Sequence, residues 1–329
     1  GVTGRGNFEG RNILHRVKAD REVGTQLRIP AKRVAQVLTS ARSTLYEARK
    51  LRPPPIRDEK IIAAWNGMMI TAFAQAGWML DEPRYSAVAS RAAGFVLDRM
   101  RAEDGALVRT YRDGKKGSSS FLDDYATMVG ACLDLYEATG NAQWLERAVE
   151  LQGDQDARYL DSQIGGYYLT AAEGETLLVR EKPAYDRAVP SGNSVAAGNL
   201  LRLHDFTGDA KWRSRAERLF ASLGLRVTRS PNGYPLLLVA LDHYDDAPLE
   251  VAIVAPLAED ETAPLAARLR ETFVPNKAFA VLTDAEATEQ QAQVPWLEGK
   301  RAMGGKATAY VCERGRCDLP TPNPSVFQK

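Results

Sequence analysis

A unit of two helical patterns recurs three times along the chain, and this repeat restricts the fold more than any other feature. The copies span residues 65–107, 123–168 and 191–234. The second and third match most closely, because Gly140 and Gly208 follow a threonine at the same place in each. Repeated supersecondary units pack against their neighbours in series. The sequence therefore predicts a row of helical hairpins.

The two helices of a hairpin differ in their apolar faces. Residues 121–138 are apolar on nearly every side, which is typical of a helix buried all round. Residues 142–160 carry one narrow apolar stripe between charged positions. We therefore expect the first helix of each hairpin to be inner and the second outer. Gly140 and Gly208 supply the left-handed residue that ends an inner helix.

The number of hairpins decides how much of a ring can form. One more helix is predicted at about residues 30–50, with Pro30 in its first turn and no partner upstream. That makes about seven helices, or three and a half hairpins, whereas an α/α toroid closes with about six hairpins. We expect a mainly α fold with a partial α/α toroid over residues 1–246. Either the ring is open or its first hairpins precede Gly1.

After the third hairpin the pattern becomes mixed. Short apolar runs at residues 249–255 and 278–282 flank a helical pattern at 258–272, which indicates a β-α-β arrangement. A last strand is predicted at residues 307–312. We expect residues 247–329 to form a small C-terminal α/β region.

Charge and composition exclude several classes of function. Lysine and arginine total 43 against 42 aspartates and glutamates, so no net charge attracts nucleic acid or an anionic membrane. No apolar run approaches the roughly 20 residues that span a bilayer, and no leader pattern opens the sequence. Histidines lack metal-ligand spacing, and phosphate-binding glycine loops are missing. We expect a cytoplasmic protein with no metal and no cofactor.

Polar residues recur where the predicted inner helices begin, and these ends should gather at one mouth of a ring. Asp58, Asp123, Asp124 and Asp186 are the candidate catalytic carboxylates, since two neighbouring carboxylates can serve as acid and base. The alternatives are helix capping and buried ion pairs with nearby arginines.

Binding residues are expected around the same mouth, where aromatic faces and amides suit a sugar ring. His15 follows a glycine-rich segment that predicts an ordered loop, and His243 is a further candidate for the mouth. The expected substrate-binding residues are His15, Trp65, Asn66, Tyr125, Tyr185, Ser191 and Asn193.

Two of the three cysteines form a separate candidate site. Cys312 and Cys317 flank four residues that fit a hairpin, which would place the two sulfurs side by side. They are either a redox couple or two small strand residues. Cys132 lies on a buried helix and is expected to serve packing.

Five groups of motifs, spread over nearly the whole chain, occur here in combination. They are GNFEGRNILH at residues 6–15, RPPP, DEK and AWNGMMI within 52–70, FLDDYA at 121–126, PSGNS at 190–194 and CDLP at 317–320. This combination resembles the YyaL and spermatogenesis-associated thioredoxin-like protein family.

The resemblance implies a thioredoxin-like N-terminal domain followed by a six-hairpin toroid similar to glycosidases and N-acylglucosamine 2-epimerases. The thioredoxin-like domain and the first hairpins have no counterpart here. The chain then corresponds to the C-terminal part, and a missing N-terminal half or another chain would complete the ring. The cavity residues implied by the motifs are Glu9, Asp58, Asn66, Asp123, Asp124, Asp186, Ser191 and Asn193.

Three functional hypotheses follow. The first is a carbohydrate-active protein that uses carboxylate acid–base chemistry, with a carbohydrate as ligand. The second is a non-catalytic module of a thioredoxin-like redox protein that binds a sugar or a protein. The third is a helical scaffold. Fold analogy alone is weak evidence for any of them.

Overall fold

A computed structural model describes residues 1–174, 177–257 and 262–327. The chain divides into two compact units, Gly1–Glu59 and Lys60–Lys329. The predicted boundary between residues 1–246 and 247–329 stays a prediction. Within the described residues, no helix is long and apolar enough to cross a membrane.

The first unit contains two helices, α1 (Asp20–Leu27) and α2 (Ala31–Lys50), which pack together. Helix α2 confirms the helix predicted near residues 30–50, and Pro30 is its N-cap residue. The expectation that it lacks an upstream partner was wrong, because α1 precedes it. Helix α1 has only eight residues, too few for a clear apolar periodicity.

The second unit is built from helical hairpins. Inner helices α3, α5, α7 and α9 pack side by side in this order, and α4, α6 and α8 each pack on the inner helix before them. This inner and outer layering is the arrangement of an α/α toroid, and it confirms the predicted mainly α fold class. The helices are α3 (Ala63–Met79), α4 (Pro83–Arg99), α5 (Leu122–Thr139), α6 (Ala142–Tyr159), α7 (Gly192–Thr207), α8 (Ala210–Arg229) and α9 (Pro235–Asp245).

The hairpin turns form as the sequence predicts. Gly140 and Gly208 end α5 and α7 with positive φ angles, in the left-handed region that favours glycine. The next residues, Asn141 and Asp209, cap α6 and α8 by accepting a backbone N–H two residues on, as asparagine and aspartate commonly do. Each turn therefore ends one helix and starts the next within two residues.

Two small sheets complete the second unit. Strands β1 (Ile61–Ile62), β2 (Thr110–Arg112) and β3 (Lys115–Lys116) form an antiparallel sheet. A four-stranded sheet has the order β5-β4-β6-β7. Its strands are β4 (Leu249–Ala255), β5 (Lys277–Thr283), β6 (Thr308–Glu313) and β7 (Arg316–Cys317).

Strands β4 and β5 are parallel, and α10 (Ala263–Glu271) lies between them in sequence, as the predicted β-α-β pattern requires. Residues 258–261 of the predicted helix lie outside the described residues. Side chains alternate between the two faces of a strand. Along β4, Ala252 and Val254 therefore join the core shared with the hairpins, and Val251 and Ile253 join a second apolar cluster with residues of α10.

The described residues contain eleven α-helices. The sequence patterns did not predict α1, α9 or α11 (Asp284–Gln290). All three have eleven residues or fewer. A helix this short has too few turns to show a periodic pattern of apolar residues.

Candidate functional site

Asp124 joins the amino ends of α3 and α5. Its Oδ1 accepts the backbone N–H of Ala64 at 2.9 Å, and its Oδ2 accepts that of Phe121 at 2.9 Å and Nη1 of Arg109 at 3.1 Å. The side chain is fully buried. Burial raises the pKa of Asp124, although the bonds from Phe121, Arg109 and Ala64 act against it. These contacts describe a carboxylate that holds two helix ends together.

Asp123 makes the equivalent link from α5 to α7. Its carboxylate accepts the backbone N–H of Gly192, the first residue of α7. Burial and the neighbouring Asp124 raise the pKa of Asp123, while Arg109 and the bond from Gly192 lower it.

Asp186 continues the series to α9. Its Oδ1 accepts the backbone N–H of Ser191 at 2.8 Å, and its Oδ2 accepts that of Leu236 at 2.9 Å. Both donors stand at the beginnings of inner helices, α7 and α9. The amino ends of all four inner helices therefore lie together, as the repeat predicts for α3, α5 and α7, and three aspartates join them.

Three of the expected binding residues are buried and hold backbone groups. Asn193 Oδ1 accepts the N–H of Tyr167 at 2.8 Å, and Asn193 Nδ2 donates to the Tyr167 carbonyl at 2.9 Å. The Tyr125 hydroxyl accepts the N–H of Leu107 at 3.0 Å. Ser191 caps α7 by accepting the N–H of Ser194. Each of these contacts stabilises a loop or a helix end.

Other expected binding residues are more exposed. The residues Trp65 and Tyr185 are 61% and 54% exposed. The Tyr185 ring packs edge to face against Tyr234, an arrangement that aromatic pairs prefer. Asn66 donates to the Ile62 carbonyl at 2.9 Å. A ligand at the helix amino ends would have the rings of Trp65 and Tyr185 as exposed aromatic surfaces.

Glu9, His15 and Asp58 belong to the first unit, and their place at the site stays a prediction. All three are exposed. Nδ1 of His15 lies 2.9 Å from the Ile13 carbonyl oxygen.

A cavity of about 580 Å³ lies between the inner helices. Faces of α3, α5, α7 and α9 line it, together with the beginning of β5. Among the described residues that line this cavity, none is a predicted catalytic or substrate-binding residue of the second unit. Its polar side chains include Gln75, Asp134, Glu137, Asn199, Arg202, His243, Asn276 and Lys277.

Arg202 of α7 pairs with two carboxylates of this polar group. Its Nη1 lies 2.9 Å from Asp134 Oδ1, and its Nη2 lies 2.9 Å from Glu137 Oε2. The two carboxylates are three residues apart, so they stand on the same face of α5. Asp134 is buried, and most of the Glu137 and Arg202 side chains is shielded from solvent. Charge-assisted contacts of this kind are strong when they are desolvated.

Glu137 is the carboxyl with the most unusual ionisation on the cavity wall. Burial raises its pKa to about 7; Asp134 acts in the same direction, and Arg202 and Lys277 oppose it. Burial also lowers the pKa of Lys277, whose Nζ donates to the Val274 carbonyl at 2.9 Å. Glu137 can therefore exchange a proton near neutral pH.

His243 also lies on the cavity wall. Its Nε2 lies 2.6 Å from Asp205 Oδ2, and this contact fixes the orientation of the ring. Trp78 supplies an aromatic wall and stacks at a tilt on Phe279, with ring centroids 4.7 Å apart. His243 stands in the last turn of α9 and lines the cavity, so the expectation that it lies at the mouth with the helix amino ends was wrong.

Charges on otherwise apolar inner helices were the signal that sequence reasoning missed. Asp134 lies as many residues before Gly140 as Arg202 lies before Gly208, and both glycines end an inner helix. They are equivalent positions of two repeats with opposite charges. That alignment marks the two residues as candidates for an ion pair between neighbouring inner helices.

The two C-terminal cysteines form a disulfide across strands β6 and β7. The predicted side-by-side placement of Cys312 and Cys317 is confirmed, and their redox role stays a prediction. Cys132 is a buried free thiol, and burial raises its pKa to about 12.

Comparison with curated proteins identifies relatives over almost the whole chain. Human spermatogenesis-associated protein 20 is 34% identical over an alignment of 335 positions, which covers 99% of this chain and 43% of the human protein. The chain is a homologue of spermatogenesis-associated protein 20. The rat protein of the same name is 33% identical over 98% of this chain and 42% of its own length. The chain thus spans less than half the length of these relatives. The resemblance inferred from its motifs is confirmed, and the thioredoxin-like domain that it implies stays a prediction. No protein-family model matches the chain.

Solved structures show more distant similarity. Cellobiose 2-epimerase from Bacillus thermoamylovorans is 15% identical, with a TM-score of 0.44 over 79% of this chain and 66% of that chain. A GH76 alpha-mannanase from Bacteroides thetaiotaomicron is 17% identical, with a TM-score of 0.44 over 52% of this chain and 46% of that chain. Similarity at this level carries no inference about the reaction.

Proposed function

We propose that the cavity between the inner helices binds a small, uncharged, hydroxyl-rich compound of the carbohydrate class, and that Glu137 exchanges a proton with it. The observation that carries the proposal is the position of Glu137, a largely shielded carboxyl on the wall of a cavity of about 580 Å³. Burial raises the pKa of Glu137 to about 7, which supports the proposal. That volume is within the range of small-molecule sites.

The charge balance of the cavity favours an uncharged ligand. The guanidinium of Arg202 is already paired with Asp134 and Glu137, so it offers little net charge to an anion. Amide and ammonium groups also stand in the lining, where they can donate to or accept from hydroxyl groups. Trp78 and Met68 provide apolar surface for the carbon face of a sugar ring.

The chemistry would be acid–base catalysis. A carboxyl that is half ionised near neutral pH can both take and give a proton, and such catalysis typically contributes about 10²- to 10⁴-fold. His243, oriented by Asp205, is the second candidate group. Glu137 suits this role better than Asp124 and Asp186, because the oxygens of those aspartates accept hydrogen bonds from backbone N–H groups. The part of the relatives that this chain does not span, or another chain, would complete the ring.

The test is a screen of mono- and disaccharides by saturation-transfer NMR, with product analysis of every sugar that binds. It uses this chain and the longer gene product side by side. We expect Glu137→Gln to retain binding within about threefold and to lose turnover by about 100-fold or more. Glu271→Gln is the matched control, because Glu271 is an exposed carboxyl that also pairs with an arginine.

The outcomes separate the three hypotheses. Binding without conversion in either protein would support the non-catalytic sugar-binding module. If no sugar binds either protein, the proposal is wrong and a protein-binding module or a scaffold is favoured. Equal turnover in wild type and Glu137→Gln would remove Glu137 from the mechanism.

A further inference from the structure

The Cys312–Cys317 disulfide presents its two sulfurs very differently to solvent. Cys312 on β6 is 1% exposed, whereas Cys317 on β7 is exposed at the edge of the sheet. Thiol–disulfide exchange begins with attack of a thiolate on one sulfur, and access decides which one. A thiolate arriving from solvent can therefore reach Cys317, and Cys312 is the sulfur that leaves.

A buried lysine stands next to the leaving sulfur. Lys300 is 5% exposed, and its Nζ lies 3.1 Å from Cys312 Sγ, to which it donates a hydrogen bond. The rings of Trp296 and Tyr310 lie 5.0 and 5.9 Å from the same Nζ. A disulfide sulfur is a weak acceptor, whereas a thiolate would give the buried ammonium group a charged partner.

The surrounding charges act in both directions. Glu250 on β4 stands opposite Cys312 and favours the charged form of Lys300, although burial lowers the pKa of that lysine to about 8. An ionised Glu250 would oppose a thiolate at Cys312, but burial raises the pKa of Glu250 and so disfavours its charged form. The hairpin around Cys317 carries charges of both signs, so it neither repels nor selects a charged thiol. These residues are Glu313, Arg314, Arg316 and Asp318.

We propose that the Cys312–Cys317 pair is a thiol–disulfide exchange site for small thiols, in which Cys317 is attacked and Cys312 leaves as a thiolate beside Lys300. In the first step, the thiolate forms a bond to Cys317 Sγ as the Cys312–Cys317 bond breaks. A second thiolate then attacks the small-molecule sulfur of this mixed disulfide, which frees Cys317. Two thiols are oxidised to one small-molecule disulfide, and the protein disulfide gains two electrons.

The equilibrium test uses glutathione redox buffers, with the protein thiols counted by alkylation and mass spectrometry. We expect Lys300→Met to reduce the equilibrium constant for reduction about tenfold, which corresponds to about 30 mV. Lys300→Arg keeps the positive charge and should retain most of the wild-type value. Lys306→Met is the matched control, because Lys306 is an exposed lysine of the same segment. Equal reduction potentials for wild type and Lys300→Met would overturn the proposal.

A second measurement does not depend on any variant. Wild-type protein is treated with limiting glutathione, acid-quenched and digested, and the glutathionylated peptide is identified. We expect the adduct on Cys317, and an adduct mainly on Cys312 would contradict the proposal. The alkylation rate of Cys312 in the reduced protein should also reach its plateau at lower pH in wild type than in Lys300→Met. A purely structural role of Lys300 would leave this pH profile unchanged.

Discussion

Arg202 on α7 binds Glu137 on α5 through a contact of 2.9 Å between Nη2 and Oε2. The two residues belong to inner helices of successive hairpins, and the same guanidinium also binds Asp134. The contact therefore joins two repeats and at the same time borders the cavity. Its two roles can be separated, because one is measured as stability and the other as ligand binding or turnover.

Removing the guanidinium should destabilise the second unit strongly. Arg202→Met leaves Asp134 and Glu137 buried without their cation, and loss of one partner of such a group typically costs about 3 to 5 kcal/mol. Urea unfolding would measure the free energy of unfolding. Arg84→Met is the control, because Arg84 pairs with Glu82 at an exposed site, where ion pairs contribute about 0 to 1 kcal/mol. Further substitution to Asp134→Asn and Glu137→Gln should recover part of the loss, and no recovery would contradict the buried-charge explanation.

Glu137 should make stability depend on pH. Its folded-state pKa of about 7 is above the reference value of 4.5, so the folded state holds the proton more tightly than the unfolded state. This contribution is fully present below about pH 4.5 and is lost as pH rises through about 7. Unfolding free energies from pH 4 to 8 should therefore fall more steeply for wild type than for Glu137→Gln. Parallel curves for the two proteins would argue against a raised pKa at Glu137, and Glu271→Gln controls for loss of an exposed carboxyl.

Asp124 should act mainly through stability. Asp124→Asn replaces one acceptor with a donor that faces buried N–H groups, and unpaired buried groups of this kind cost about 1 to 3 kcal/mol each. We expect a fall in thermal midpoint, with ligand affinity unchanged at temperatures where the variant is folded. Asp113→Asn, at an exposed turn, should change the free energy of unfolding by less than about 0.5 kcal/mol. If Asp124→Asn kept full stability and lost turnover, the residue would be catalytic.

Two helical glycines provide a test of the close packing between inner helices. A Cβ on Gly67 of α3 would lie 2.7 Å from Thr127 Oγ1 and 2.9 Å from the Thr127 backbone carbon. We expect Gly67→Ala to cost about 1 to 3 kcal/mol through overpacking. A Cβ on Gly153 of α6 meets nothing within 4 Å, so Gly153→Ala should stabilise the protein by up to about 1 kcal/mol. Chemical denaturation of both variants checks the opposite signs, and equal effects would mean that α3 and α5 are not in close contact.

Much of the fold could be predicted because its signals are local and repeated. The pattern of residues 121–138 identified α5 as an inner helix, and Gly140 marked its end. The parallel pair β4 and β5 also followed from two short apolar runs around a helical pattern. The short helices α1 and α9 were not predicted, because a segment of two or three turns shows too little periodicity in its apolar residues.

The candidate site was only partly predictable. The sequence placed Asp123, Asp124 and Asp186 at gathered helix ends, and the structure brings them there. From the sequence alone, a carboxylate that accepts backbone N–H groups could not be distinguished from one that borders a cavity. Glu137 and Arg202 were not predicted as site residues, although the second and third repeats, which contain them, could be aligned.

The sequence by itself determined the long helices of the three hairpins, which helix of each hairpin is buried and where each hairpin turns, because those properties depend on residues within a few positions of one another. Only the tertiary structure decided which charged side chains meet. Arg202 and Glu137 are brought together by the packing of α5 against α7, and Lys300 and Cys312 by the fold of the C-terminal sheet. The ionisation and reactivity of such groups depend on their burial and on their distances to residues far away in the sequence. Both are set by the packing of the whole fold and not by the local sequence around one residue.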